Sequence, residues 1–151
     1  MCNYLGCMDC IHGGQMSKKE TLYHNTGSLD HIFWHCPKIT PIWEEVEKVL
    51  QKLPVNRTHI PPGMALLHLG IRDLPKRERL ILHHIFVSTR LLIVDNWKSP
   101  YVPKITEILK KVDFNLTAEK SWAVKCGNLQ TFLDRASLWL SVYPASKLSE
   151  F

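Results

Sequence analysis

From Lys76 to Trp97 the chain runs without a glycine or a proline, and its middle, Leu80 to Val94, is largely apolar. A run of that kind predicts a long helix with most of its surface buried. A membrane span needs about 20 consecutive, mostly apolar residues, whereas this stretch is shorter and carries His83, His84 and Arg90. The helix is therefore expected to sit in a protein core, and no membrane partner is expected. Asp73 is the expected N-cap with Pro75 just inside, and Ser99-Pro100-Tyr101-Val102-Pro103 breaks the helix at its far end.

The rest of the pattern is also helical. Ile39, Ile42, Trp43, Val46, Val49, Leu50 and Leu53 recur at steps of three and four, while Glu44, Glu45, Glu47, Lys48 and Lys52 take the wet side. Pro54 closes this helix because a proline disfavours helical geometry in the residue before it. Pro61-Pro62 open a short helix through Met64, Leu66 and Leu67, with Gly70 placed for a left-handed end. Ile105, Ile108, Leu109, Val112 and Phe114 predict a three-turn helix with Lys110 and Lys111 outward. Thr117 is the expected cap of a further helix carrying Trp122, Leu129, Phe132, Leu133, Ala136, Leu138 and Trp139, which Gly127-Asn128 can divide. Strand-length alternation bounded by hairpin signals is absent, as is any fixed-period repeat.

The fold class is therefore all-α. An irregular helical domain is expected over residues 37–151, after a Cys/His-containing, loop-rich segment at 1–36. With 45% hydrophobic residues the chain can bury a core. Trp43, Val46, Leu50, Ile85, Leu92 and Leu133 are expected inside it, joined by Trp97, Trp122 and Trp139, in a body from about Asp30 to Tyr143. Ile11 to Gly27 is expected to be a mobile loop.

Cys2, Cys7, Cys10 and Cys36 crowd the first quarter of the chain and Cys126 stands alone, a distribution closer to a metal site than to a disulfide framework. The beginning of the chain lacks the basic leader and apolar run of a secretory signal, so an intracellular, reducing setting is expected. Cys7-x2-Cys10 followed by His31-x4-Cys36 supplies three thiolates and one imidazole, a donor set that binds zinc tetrahedrally. His24, His35 and Cys2 are alternative ligands, and reduced, unliganded side chains are the alternative reading of the whole set.

The segment Gly27-Ser28-Leu29-Asp30-His31-Ile32-Phe33-Trp34-His35-Cys36-Pro37, continuing to Pro41-Ile42-Trp43, resembles the zinc-binding region at the C-terminus of LINE-type, non-LTR retrotransposon reverse transcriptases. In that family a CxxC pair precedes an H-x4-C segment bearing tryptophan, then an amphipathic helix with another tryptophan. Leu91 to Pro100 also looks like the tail of those proteins, so the resemblance covers roughly Leu29 to Tyr143. His31 and Cys36 match the second half of the family's knuckle. Cys7 and Cys10 match the first half in type, at a wider spacing. The resemblance implies zinc as cofactor and template RNA as partner, with polymerase and endonuclease domains lying upstream in the family.

Catalytic patterns are missing from the sequence itself. Two-metal phosphoryl transfer needs converging carboxylates, yet no Asp-Asp pair occurs, and Glu44 and Glu45 point apart on a helix. Neither a GxSxG elbow nor a phosphate-cradling glycine loop is present. Cys36 or Cys126 beside a histidine would be the remaining route, and His83-His84 reads as a packed pair. The expectation is a non-catalytic chain without a small-molecule substrate. Nineteen Lys and Arg against fourteen Asp and Glu give a formal charge of +5, which favours a polyanionic partner. RNA or single-stranded DNA is the expected one, with Lys18, Lys19, Arg72, Lys76, Arg77 and Arg79 as phosphate contacts and Trp34 stacking on unpaired bases. The competing reading is a decayed or domesticated helical protein-interaction or structural remnant without nucleic-acid affinity.

Overall fold

The computed structural model describes residues 29–55 and 59–143. Among the described residues there are five α-helices: α1 (Thr40–Lys52), α2 (Pro62–Leu67), α3 (Lys76–Asn96), α4 (Ile105–Lys125) and α5 (Leu129–Val142). A π-helical turn, His31–His35, precedes α1, and a 3-10 turn, Ile71–Asp73, precedes α3. No strand occurs among the described residues, so the all-α expectation holds.

α3 is the centre of the fold and packs against both α4 and α5. His84 Nε2 lies 2.8 Å from a Glu119 carboxylate oxygen, and the Asn115 amide donates to Ser88 Oγ at 3.2 Å. Those two contacts fix α3 and α4 as an antiparallel pair. The Trp139 indole N–H reaches Asp113 at 3.4 Å, and Arg135 lies 3.7 Å from Glu119, which sets α5 antiparallel to α4. α1 closes the body at Phe86 of α3, where the Trp43 ring meets Phe86 edge-on with centroids 6.3 Å apart.

Prolines act where the sequence places them. Leu53 is extended, with ψ 143°, because Pro54 follows it. Pro61-Pro62 starts α2, and Ser99 to Pro103 separates α3 from α4. Asp73 is a correction: it belongs to the 3-10 turn, and Pro75 is the residue before the first turn of α3, with no side-chain hydrogen bond capping it. Leu74, pushed to ψ 155° before Pro75, turns the chain between Asp73 and the helix and takes the carboxylate out of capping position. α2 ends earlier than expected, at His68, whose φ of 58° is left-handed; Gly70, at φ 72°, opens the next turn.

α4 corrects a second expected cap. Thr117 does not start a helix; its hydroxyl donates to the Asp113 carbonyl at 2.8 Å, the back-bond of a helix interior, and α4 continues to Lys125. The break falls after that, where Gly127 takes φ 71°.

Trp43, Val46, Leu50, Ile85 and Trp139 are buried as expected. Leu92 and Leu133 are only half-buried, packed against the core's edge. Trp97 and Trp122 do not fill the core: they are 42% and 67% exposed. Trp97 lies just past Asn96, with Lys98 Nζ 5.1 Å from its ring centroid. Trp122 lies at the edge of the line Ile108, Val112, Leu116 and Ala123 that α4 buries.

Candidate nucleic-acid interface

The H-x4-C segment is pinned to α1 by its own tryptophans. A helix end leaves carbonyls without partners, and here side chains supply them. The Trp43 indole donates to the Phe33 carbonyl at 2.6 Å, and the Thr40 hydroxyl reaches the Trp34 and Cys36 carbonyls at 3.1 and 3.3 Å. The Cys36 N–H closes the π turn on the His31 carbonyl at 2.9 Å. Trp34 is consequently half-buried, its ring tilted against Trp43 with centroids 4.9 Å apart. That corrects its expected openness: one side of the ring is taken up by Trp43.

His31 is half-buried and Cys36 buried in this turn, while His35 is exposed and sits 3.0 Å from Asp30. Sulfur and imidazole donors suit zinc, but among the described residues no group of three or more His, Cys, Asp or Glu side chains could hold a metal ion. A zinc site would need Cys7 and Cys10, which lie outside the described residues, as do Cys2, His24, Lys18, Lys19 and the expected loop from Ile11 to Gly27.

Arg72 lies in the 3-10 turn before α3, and Lys76, Arg77 and Arg79 lie in its first turn at different phases, so the four gather at one end of the helix rather than on one face of it. The first three are exposed and Arg79 is half-buried, and none forms an ion pair with a described residue. Two carboxylates share the region: Asp73 is exposed and Glu78 is buried. Cations remain in excess at the positive end of a helix macrodipole, where like charge is unfavourable by itself and a bound anion is favoured. Pro75 contributes no N–H and no capping side chain, so the first-turn amides have no side-chain acceptor among the described residues.

No family model matches the chain, and no solved structure matches it. No helix among the described residues is long and apolar enough to cross a membrane.

A second polar cluster lies where α2 meets α3. The Arg90 guanidinium donates to the Leu66 carbonyl and approaches His68 Nε2 at 3.3 Å; the His68 ring lies 5.0 Å from His83, whose ring is 5.5 Å from His84. The expected packed pair is thus a chain of three imidazoles, in which His84 turns to Glu119 and His83, still an exposed residue, turns to His68. Loss of hydration lowers the pKa of His68, reinforced by Arg90 and His83. Loss of hydration also lowers that of His83, reinforced by His84 and Arg90 and opposed by Glu119. Below an unfolded-state value of about 6.5 the unfolded chain therefore binds more protons than the folded one. Stability present at neutral pH should fall as pH drops through about 6.5 towards the lower folded values, seen as a declining Tm between about pH 7.5 and about pH 5. Replacing His68 and His83 together by Gln should flatten that decline; an unchanged slope would remove the cluster as its cause.

Sequence reasoning missed the exposed aromatics of α4. Phe114 is 73% exposed although it follows the apolar spacing of Ile108 and Val112. Extending the helical period from Ile108 and Val112 through Leu116 to Ala123 places Phe114 on the other side and Trp122 at the edge of the buried face, a signal hidden by ending the helix at Thr117.

Proposed function

We propose that the chain is a non-catalytic nucleic-acid-binding module, a remnant of the C-terminal region of a LINE-type reverse transcriptase, that takes RNA or single-stranded DNA with little sequence preference. The observation that carries this reading is the group Arg72, Lys76 and Arg77, exposed and without carboxylate partners among the described residues, around a helix start with no side-chain cap. Phosphates would neutralise side chains that otherwise repel one another and would accept from first-turn amides. Contacts of this kind hold a strand without reading its bases, which accounts for the low sequence preference. The resemblance of Gly27 to Trp43 to the family's zinc-binding region supports the same partner, and no contact depends on zinc.

Fluorescence anisotropy with labelled oligonucleotides across a salt series tests it. Binding should be readily detected at low salt and weaken steeply as salt rises, through release of condensed counterions. Absence of binding by folded protein at low salt would sink this reading and leave the helical protein-interaction remnant as the better account.

A further inference from the structure

The outward side of α4 presents Lys110, Phe114, Ala118, Ser121 and Lys125 opposite the buried line of Ile108, Val112, Leu116 and Ala123, with Trp122 at the edge of that line, and all six are exposed. Eight residues at a rise of about 1.5 Å separate the two aromatic rings by about 12 Å along the axis. Ala118 and Ser121 between them are too small to cover either ring. That distance corresponds to several nucleotides of a strand whose duplex rise is about 3.4 Å each.

Lys110 and Lys125 lie on the outward side of this helix and Lys111 beside it, while Glu107 shares the outward phase of Phe114 and Lys120 is buried on the core side. The three carboxylates of α4 are all engaged: Glu107 accepts from the Tyr101 hydroxyl, Asp113 from the Trp139 indole at 3.4 Å, and Glu119 meets His84 at 2.8 Å and Arg135 at 3.7 Å. Lys110, Lys111 and Lys125 form no ion pair with a described residue. The result is a positive strip interleaved with two open rings. The His84–Glu119 and Ser88–Asn115 contacts bring Lys125 level with the first turn of α3, the end of the bundle where Arg72, Lys76 and Arg77 lie.

We propose that this strip is a base-stacking platform for single-stranded nucleic acid, with unpaired bases on Phe114 and Trp122 and the intervening phosphates met by Lys110, Lys111 and Lys125. The inference rests on the nucleic-acid reading above and adds the path of the strand across α4. Aromatic faces accept any base, provided it is unpaired, and lysines supply the sequence-blind charge. A bilayer or a second copy of the chain fits less well, because two rings separated by Ala118 and Ser121 offer little continuous apolar area and the apolar side of α4 is already used in the core.

The test compares wild type with Phe114→Ala/Trp122→Ala and with Trp122→Phe, on a labelled oligothymidylate and on an abasic strand with the same number of phosphates. Both rings are exposed, so circular dichroism and Tm should be unchanged in all three proteins. The double variant should bind thymidylate roughly a hundred-fold more weakly, at about ten-fold per lost stack, with the same salt slope. It should bind the abasic strand like wild type, and Trp122→Phe should retain most of the affinity. Equal thymidylate affinity in wild type and double variant overturns the platform while leaving the nucleic-acid module standing. A loss shared equally by the abasic strand also overturns it. Ring-dependent self-association in sedimentation, or ring-dependent binding to phosphatidylserine vesicles, with strand affinity unchanged, would assign the strip to those partners instead. If wild type binds neither strand, both readings fall.

Discussion

Replacing Phe86 by alanine should lower folding stability by about 3–5 kcal/mol, the range for removing a large aromatic from a closed core. The Phe86 side chain is fully buried in α3. Trp43 of α1 meets it with centroids 6.3 Å apart, and His68, the residue ending α2, stacks on it at 6.4 Å. One ring therefore joins three elements, and its loss opens a cavity that none of them can fill without moving the others. Alanine's better helix propensity, worth about 0.5 kcal/mol, opposes the loss and does not cancel it. Denaturant unfolding followed by circular dichroism measures the difference. A loss under about 1 kcal/mol would mean that α1 and α2 do not pack on α3 through this ring.

Changing Arg72, Lys76, Arg77 and Arg79 together to alanine should do the opposite: remove binding and spare the fold. Each lost phosphate contact should reduce the salt slope for a single strand by about 0.7, so four contacts approach three units and cost about two to three orders of magnitude in affinity near 0.1 M salt. Arg79 is half-buried and should contribute least. Stability should hold or rise slightly, because the variant removes cations from the positive end of α3 and adds strong helix formers there. The loss should be the same for every strand sequence. An unchanged salt slope in this variant would move the phosphate contacts elsewhere, with the lysines of α4 the next to test.

Most of the fold was legible in the chain because its punctuation is local. Pro54, Pro61-Pro62 and the Ser99–Pro103 stretch act through the backbone of their neighbours, whatever packs around them. The same locality explains Gly127, which needs only its own left-handed geometry. The candidate site was legible in part. Arg72, Lys76, Arg77 and Arg79 are close in sequence, and the start of α3 keeps them at one end of that helix. Trp34 was misjudged because its exposure depends on Trp43, and Phe114 and Trp122 because theirs depends on where α4 ends.

The sequence by itself determined the helical class of the described residues, the long central helix and the apolar faces of α1 and α3, since period and proline placement need no partner to take effect. Tertiary structure decided the rest. Whether Asp73 or Thr117 caps a helix depends on the turn that precedes it, and whether an aromatic is core or surface depends on which side of its helix another helix covers. Trp139 and Trp122 both sit among apolar residues in sequence, yet Trp139 is covered and Trp122 is not. The reason is geometric: a helix in a three-helix packing has two covered sides, and an apolar residue at the wrong phase of its turn stays in water however favourable its burial would be.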